Sequence, residues 1–232
     1  MFMRYNRQKI LPEIGESGQQ RLREAKVLIV GMGGLGVPIS LYLTGAGVGT
    51  IGLMDDDIVS VTNLQRQILY TESDVNQPKV RCAMKRLSAL NSEVNFQTYP
   101  VRLTRSNAEK IICDYDIVID GCDNFATRYL IDDVCEKLDK VYVYGAIAEF
   151  EGQVSVFNYG ISPKRYRDLY PDEKIMEEMS SSSKGVMGVT PAVVGSVEAC
   201  EVLKIICGFG EVLSGKIWTI DLKTLESNIF SL

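Results

Sequence analysis

Three groups of residues in this chain have the types and spacing for chemistry on a phosphate. The first is the glycine series Gly31, Gly33, Gly34 and Gly36 in "VLIVGMGGLGVP", which satisfies G-x-G-x-x-G directly after an apolar run. Glycine there permits a tight turn, lets backbone N–H groups approach a phosphate, and lets the following helix lie close to its strand. The positive end of that helix then faces the anion. Asp55 ends the next apolar run, about 20 residues on, where a carboxylate accepts hydrogen bonds from ribose hydroxyls. Both features suit a nicotinamide or flavin dinucleotide as well as ATP, and do not choose between redox and phosphate chemistry.

The other two groups favour ATP. "NLQRQ", residues 63–67, brings Arg66 and the amides of Asn63, Gln65 and Gln67 beside the glycine turn, where a redox ring would need a dry slot and neutral contacts. Lys79 follows Pro78 at a predicted helix start, a place where lysine opposes the helix dipole and which is easier to understand with an anion between them. Asp123, in "DGCDN", stands at the carboxyl edge of a predicted sheet, where ligands bind in open α/β folds. A carboxylate facing triphosphate is a natural Mg²⁺ ligand. Singly, Arg66 and Lys79 read as solvated charges and Asp123 as a helix cap; Asp56 and Asp57 read as solvated or capping. Placed together on strand ends, they suit phosphoryl or nucleotidyl transfer, which runs on positioning and charge stabilisation.

The elements that position these groups follow from periodicity. Strands are expected over 26–30, 50–55, 94–101, 116–121 and 141–147, with helices over 16–25, 34–46, 78–90, 106–114 (with a Ser106 cap) and 124–138. Alternation of this kind gives an α/β, Rossmann-like, mostly parallel sheet flanked by helices. The alternating segment 151–159 reads as an edge strand, and 216–222 and 226–232 as two short antiparallel strands at the C-terminal end. A single domain is expected over 1–232: a helical N-terminal arm (1–25), a nucleotide-binding core (26–158), a mobile crossover loop (160–185), and a C-terminal helix and strands (188–232).

Composition narrows the function classes. The net charge of −5 argues against nucleic-acid and membrane partners. Residues 27–54 carry no charge, but their glycines, proline and changes of period fit a buried strand–helix–strand better than a membrane span. The six cysteines include no C-x-x-C pair, and most read as small buried hydrophobes. With no secretory signal seen, reduced thiols and a cytoplasmic location are expected. Histidine is absent, which removes His-based triads and the usual imidazole base.

The stretches "RYNRQ", "VLIVGMGGLG", "DDDIVSVTNLQRQ", "NQPKV", "DGCDN", "EGQVSVF" and "GVTPAVVGSVEACEVLK" resemble the E1-like adenylyltransferases of the ThiF, MoeB and HesA group, which activate small ubiquitin-like sulfur-carrier proteins. The resemblance covers almost the whole chain. It implies that the glycine turn and Asp55 hold ATP, with Asp57 and Gln67 in the nucleotide-binding set. It implies that Asn63, Arg66 and Lys79 line the phosphates and that Asp123 binds Mg²⁺. It implies that Arg7 reaches into a neighbouring subunit's site, hence a homodimer. The implied reaction is attack of a carrier's C-terminal Gly-Gly carboxylate on the α-phosphorus of ATP, giving an acyl-adenylate and pyrophosphate.

Two departures from the group stand out. Where many of its members carry the first cysteine pair of a zinc site, this chain has Arg165 and Asp168, and no second pair follows, so no zinc is expected. Where members often carry a reactive cysteine, this chain has Ser181, so sulfur is expected from a separate donor. A non-catalytic carrier-binding relative is a second reading. A NAD(P)-dependent oxidoreductase is a third, and it leaves Arg66, Lys79 and Asp123 unexplained.

Overall fold

A computed structural model describes residues 4–179 and 185–232. The N-terminal helices α1 (Asn6–Lys9) and α2 (Gly15–Glu24) lead into β1 (Lys26–Val30), α3 (Gly36–Ala46) and β2 (Thr50–Met54). Two 3₁₀ turns, at Val61–Asn63 and Glu72–Asp74, precede α4 (Lys79–Leu90) and β3 (Asn95–Tyr99). Then come α5 (Ala108–Ile112), β4 (Ile117–Asp120), α6 (Phe125–Lys137), β5 (Val141–Ala148) and β6 (Glu151–Phe157). The chain continues through α7 (Tyr166–Leu169), α8 (Glu173–Met179), α9 (Val189–Cys207), β7 (Lys216–Asp221) and β8 (Glu226–Ser231).

The described strands form one sheet in the order β3-β2-β1-β4-β5-β6-β7-β8. Pairing is parallel from β3 to β5 and antiparallel from β5 to β8, as expected from sequence. The continuous apolar run of β1 is explained by burial on both faces: Val27 and Ile29 belong to a core under α2, α3, α4 and α9, while Leu28 and Val30 belong to a second core under α5, α6 and α7. Strand order reverses at β1, with β2 on one side and β4 on the other, so a crevice opens at the carboxyl ends of β1 and β4.

Several expectations need correction. Segment 151–159 is not an edge: β6 is held between β5 and β7, and β8 forms that border of the sheet. The first helical turn after β3 is not capped by Ser106; α5 begins after Asn107, whose Oδ1 instead accepts from the Thr104 N–H at 2.8 Å. The crossover 160–185 is not a structureless loop, because α7 and α8 form within it. Tyr166 sits fully buried among Tyr129, Tyr142, Tyr144, Phe157 and Tyr170. Arg165 bridges to Asp132, Asp133 and Glu136 on α6. The N-terminal helices pack on the core, with Tyr5, Ile14 and Leu22 buried. Cys113 and Cys200 are exposed rather than buried. Among the described residues no helix is long and apolar enough to cross a membrane.

Candidate active site

The glycine turn lies at the β1–β4 crevice. Gly31 has φ +97°, a conformation that favours glycine, and its N–H donates to Met54 O at 2.7 Å. A Cβ on Gly36 would overlap Gly31 O, so the first turn of α3 closes on the strand end only with glycine there. Gly33 differs. A Cβ on it would meet nothing closer than Gln67 Nε2 at 3.5 Å, so the fold itself leaves room for a side chain. Among the described residues the N–H groups of Gly33, Gly34, Leu35 and Gly36 have no acceptor. Four unpartnered donors at the positive end of α3 form a cradle for an anion.

The "NLQRQ" loop packs against that cradle. A Cβ on Gly34 would lie 3.8 Å from Arg66 Cδ and 3.1 Å from Pro191 Cβ, so Arg66 and the first turn of α9 flank the glycines. Arg66 is half-buried and donates through Nη1 to Thr62 O at 3.2 Å. Gln67 is 3 % exposed, and its buried Oε1 has no partner among the described residues. Asn63 uses Oδ1 to accept from the Ser60 N–H at 3.2 Å, which leaves its amide NH₂ without a partner among the described residues.

Lys79 is not a solvated charge, and the anion expected beside it at the helix start is supplied within the chain. Its Nζ is 2.8 Å from Asp57 Oδ2 and 3.6 Å from Asp55 Oδ2. These carboxylates supply the anion that makes lysine tolerable at the positive end of α4, and Asp57 is therefore neither merely solvated nor a cap. Asp55 also accepts the Met32 N–H at 2.7 Å and the Asp57 N–H at 2.8 Å. Burial raises the Asp55 pKa above its ordinary value, only partly offset by Lys79 and those two N–H donors.

Asp123 is exposed and has no cation partner among the described residues. It does not cap α6; Asn124 does, with Oδ1 accepting from Thr127 N–H at 3.0 Å. The one described group of three metal-ligating side chains that converge is Asp55, Asp56 and Asp57, and it does not include Asp123. An uncompensated, solvent-facing carboxylate fits a divalent cation that draws its other ligands from phosphate and water.

Sequence reasoning missed what holds Asp123 in place. Asp120 and Arg128 form a buried ion pair at 2.9 Å, with side-chain exposures of 0 % and 7 %. Arg128 also donates to Cys122 O at 3.0 Å and Gly145 O at 3.3 Å. Asp120 accepts from Tyr142 OH at 3.0 Å and from the Cys122 N–H at 2.9 Å. The loop 121–124 is thus fixed from below by a filled polar network. The Cys122 thiol donates to Asp120 Oδ1 at 2.8 Å; burial, then the Asp120 charge, pushes its pKa up, which makes it a poor nucleophile. The carboxylate responsible is Asp120, not the neighbouring Asp123.

Arg7 is not brought to this site. It lies on α1, where Tyr5 packs on Gly47 and Gln8 donates to Ala46 O, at the far end of α3 from the glycine turn. The 11 residues of α3 span about 16 Å. Arg7 is exposed, with no ion pair among the described residues. Ser181 lies outside the described residues.

The ThiF family profile matches residues 5–232. The chain is 49 % identical over 223 residues to the sulfur carrier protein adenylyltransferase of Thermus thermophilus, covering 94 % of this chain and 82 % of that protein. It is 44 % identical over 233 residues to a probable molybdopterin-synthase adenylyltransferase of Porphyra purpurea, covering all of this chain and 61 % of that protein. Among solved structures, E. coli MccB with ATP superposes with a TM-score of 0.83 at 24 % identity, over 92 % of this chain and 65 % of that one, a likeness of fold.

Proposed function

The chain belongs to the ThiF family of E1-like adenylyltransferases, and on that premise we propose that it adenylates the C-terminal Gly-Gly carboxylate of a small ubiquitin-like sulfur-carrier protein, using ATP. The observation that carries this reading is the cradle of unpartnered N–H groups at Gly33 to Gly36, beside Arg66 and open at Gly33 where a Cβ would intrude on a bound phosphate. Asp55 is the ribose acceptor: Oδ1 accepts the Asp57 N–H and keeps a second lone pair, whereas Oδ2 faces both the Met32 N–H and Lys79. Asn63, Arg66, Gln67 and Lys79 line the triphosphate. Asp123 would hold Mg²⁺, which when bound neutralises phosphate charge.

In the reaction a carboxylate oxygen of the carrier attacks the α-phosphorus. The bond from that phosphorus to the oxygen bridging the α- and β-phosphates breaks, and its electron pair leaves on pyrophosphate. The nucleophile is already an anion at neutral pH, so no base is required and the lack of histidine is no obstacle. Arg66 and the cradle N–H groups stabilise the charge that grows on the leaving group. Arg7 would supply a further cation to the site of a second copy, since it is remote from its own, which makes the homodimer the active unit. No covalent enzyme thiol enters this scheme; a separate donor would deliver sulfur to the acyl-adenylate. Nor does zinc: Arg165 is committed to three carboxylates of α6, and Asp168 accepts the Arg165 N–H at 2.8 Å.

The test is ATP–pyrophosphate exchange with Mg²⁺ and candidate Gly-Gly-terminated carriers. Carrier-dependent exchange supports adenylation; tight ATP binding without exchange for any carrier supports the non-catalytic reading instead.

A further inference from the structure

Tyr70 lies outside every motif described above, on the coil after the "NLQRQ" loop, yet it touches the glycine turn. It is 4 % exposed, and its hydroxyl donates to Met32 O at 2.9 Å. Met32 is the residue between the first two glycines, and its own N–H is taken by Asp55 Oδ2 at 2.7 Å. The two peptide units flanking Met32 are therefore pinned separately. In a trans peptide the C=O and N–H point in opposite directions. The unit Gly31–Met32 directs its N–H inward, to Asp55. The unit Met32–Gly33 directs its C=O inward, to Tyr70, and so its N–H outward. That outward N–H belongs to Gly33, which has no acceptor among the described residues and no neighbour closer than Gln67 Nε2, at 3.5 Å, to where its Cβ would be.

From this we infer that Tyr70 is a positioning residue for phosphate recognition: its hydroxyl fixes the orientation of the Gly33 N–H that donates to the nucleotide. The inference rests on the reading of the cradle as an ATP site. A free Met32–Gly33 peptide could rotate so that its carbonyl faced the ligand, replacing a donor with a repulsive acceptor. Burial of Tyr70 beside Asp55 keeps the phenol protonated and therefore a donor, since burial and then the Asp55 charge both raise its pKa.

The experiment is titration of wild type and Tyr70→Phe with Mg-ATP and, separately, with adenosine, alongside circular dichroism of each protein. Loss of one well-aimed hydrogen bond to a charged group predicts about tenfold weaker ATP binding. Adenosine, which carries no phosphate and engages Asp55, should bind both proteins alike. A purely structural hydroxyl would lower thermal stability and leave the affinity of the folded protein for ATP unchanged. A variant that does not fold, that binds ATP within twofold of wild type, or that loses adenosine and ATP equally overturns the inference. Gly33→Ala checks the direction of the donor independently: it should weaken ATP and spare adenosine. Wild type that binds neither ligand would instead end the ATP-site reading, and this inference with it.

Discussion

Glu198 is fully buried on α9, against Gly145 of β5, and neither carboxyl oxygen has a hydrogen-bond partner among the described residues. Burial raises its pKa well above the ordinary 4.5; the nearby Asp120 charge adds to this and Arg128 opposes it. A carboxylate in that setting would be an uncompensated buried charge, so the folded state holds the acid protonated. The stability consequence has a definite sign. Below pH 4.5 both folded and unfolded chains carry the proton and Glu198 brings no penalty. Above it the unfolded chain ionises while the folded one does not, so stability falls by about 1.4 kcal/mol per pH unit until the folded pKa is reached. Glu198→Gln keeps the shape and removes the proton equilibrium. The stability difference, variant minus wild type, should grow by about 2.7 kcal/mol between pH 5.5 and 7.5 if Glu198 stays protonated throughout. The measurement is urea unfolding at several pH values across that window, above the isoelectric point near 5.0. Asp55 and Asp132, whose pKa values burial also raises, remain in both proteins and cancel in the difference. A difference that stays constant across the window would refute the reasoning, because it would mean that Glu198 titrates alike in the folded and unfolded chain.

Three further outcomes are expected. Asp123→Ala should abolish carrier-dependent pyrophosphate exchange while leaving carrier binding, measured by calorimetry, within a few-fold of wild type. Arg7→Ala and Asp123→Ala should each be inactive alone, whereas co-refolded mixtures should recover about a quarter of wild-type exchange, since half the dimers are mixed and each holds one complete site. Arg128→Met strands the buried Asp120 carboxylate, and should lower unfolding free energy by about 3–5 kcal/mol in urea titrations; a loss below about 1 kcal/mol would show that the pair does not hold the loop.

Much of the sheet was legible because its signals are local. The β1–turn–α3 unit declares itself by an apolar run, glycines and a helical period within 20 residues. What escaped reading depended on partners distant in sequence. Residues 151–157 alternate as an edge strand would, but their second neighbour is β7, with Val154 opposite Trp218. The crossover reads as loop because its charges suggest solvent; those charges are held by α6 residues some 30 positions earlier, and Tyr166 fills an aromatic pocket built from α6, β5 and β6. Glu198 had a usable signal. It follows Pro191 and Val194 and precedes Val202 at helical spacing, all buried, so the period of α9 places it inside even though its type suggests otherwise. Asp120 and Arg128 gave less, since a charge at a strand end and another on a helix show no pairing until the fold brings them together.

The charge balance at the cradle bears on assembly. Lys79 is the most buried cation near the glycine cradle, but Asp55 and Asp57 already neutralise it within the chain. Its pull on a triphosphate is therefore shared with two carboxylates, and Asp123 adds another negative charge. Arg66 is the cation beside the glycines that has no acidic partner among the described residues. A single copy thus offers one uncommitted guanidinium and a set of N–H dipoles against the several negative charges of ATP and the incoming carboxylate. That is a weak balance for expelling pyrophosphate. On the proposed reading Arg7, exposed, without an ion pair among the described residues and about one α3 length from its own turn, would correct it in the site of another copy. If the proposed dimer is the active unit, the requirement for it is electrostatic on this arithmetic, and a monomeric variant with every residue of its own site intact should bind ATP yet fail to adenylate.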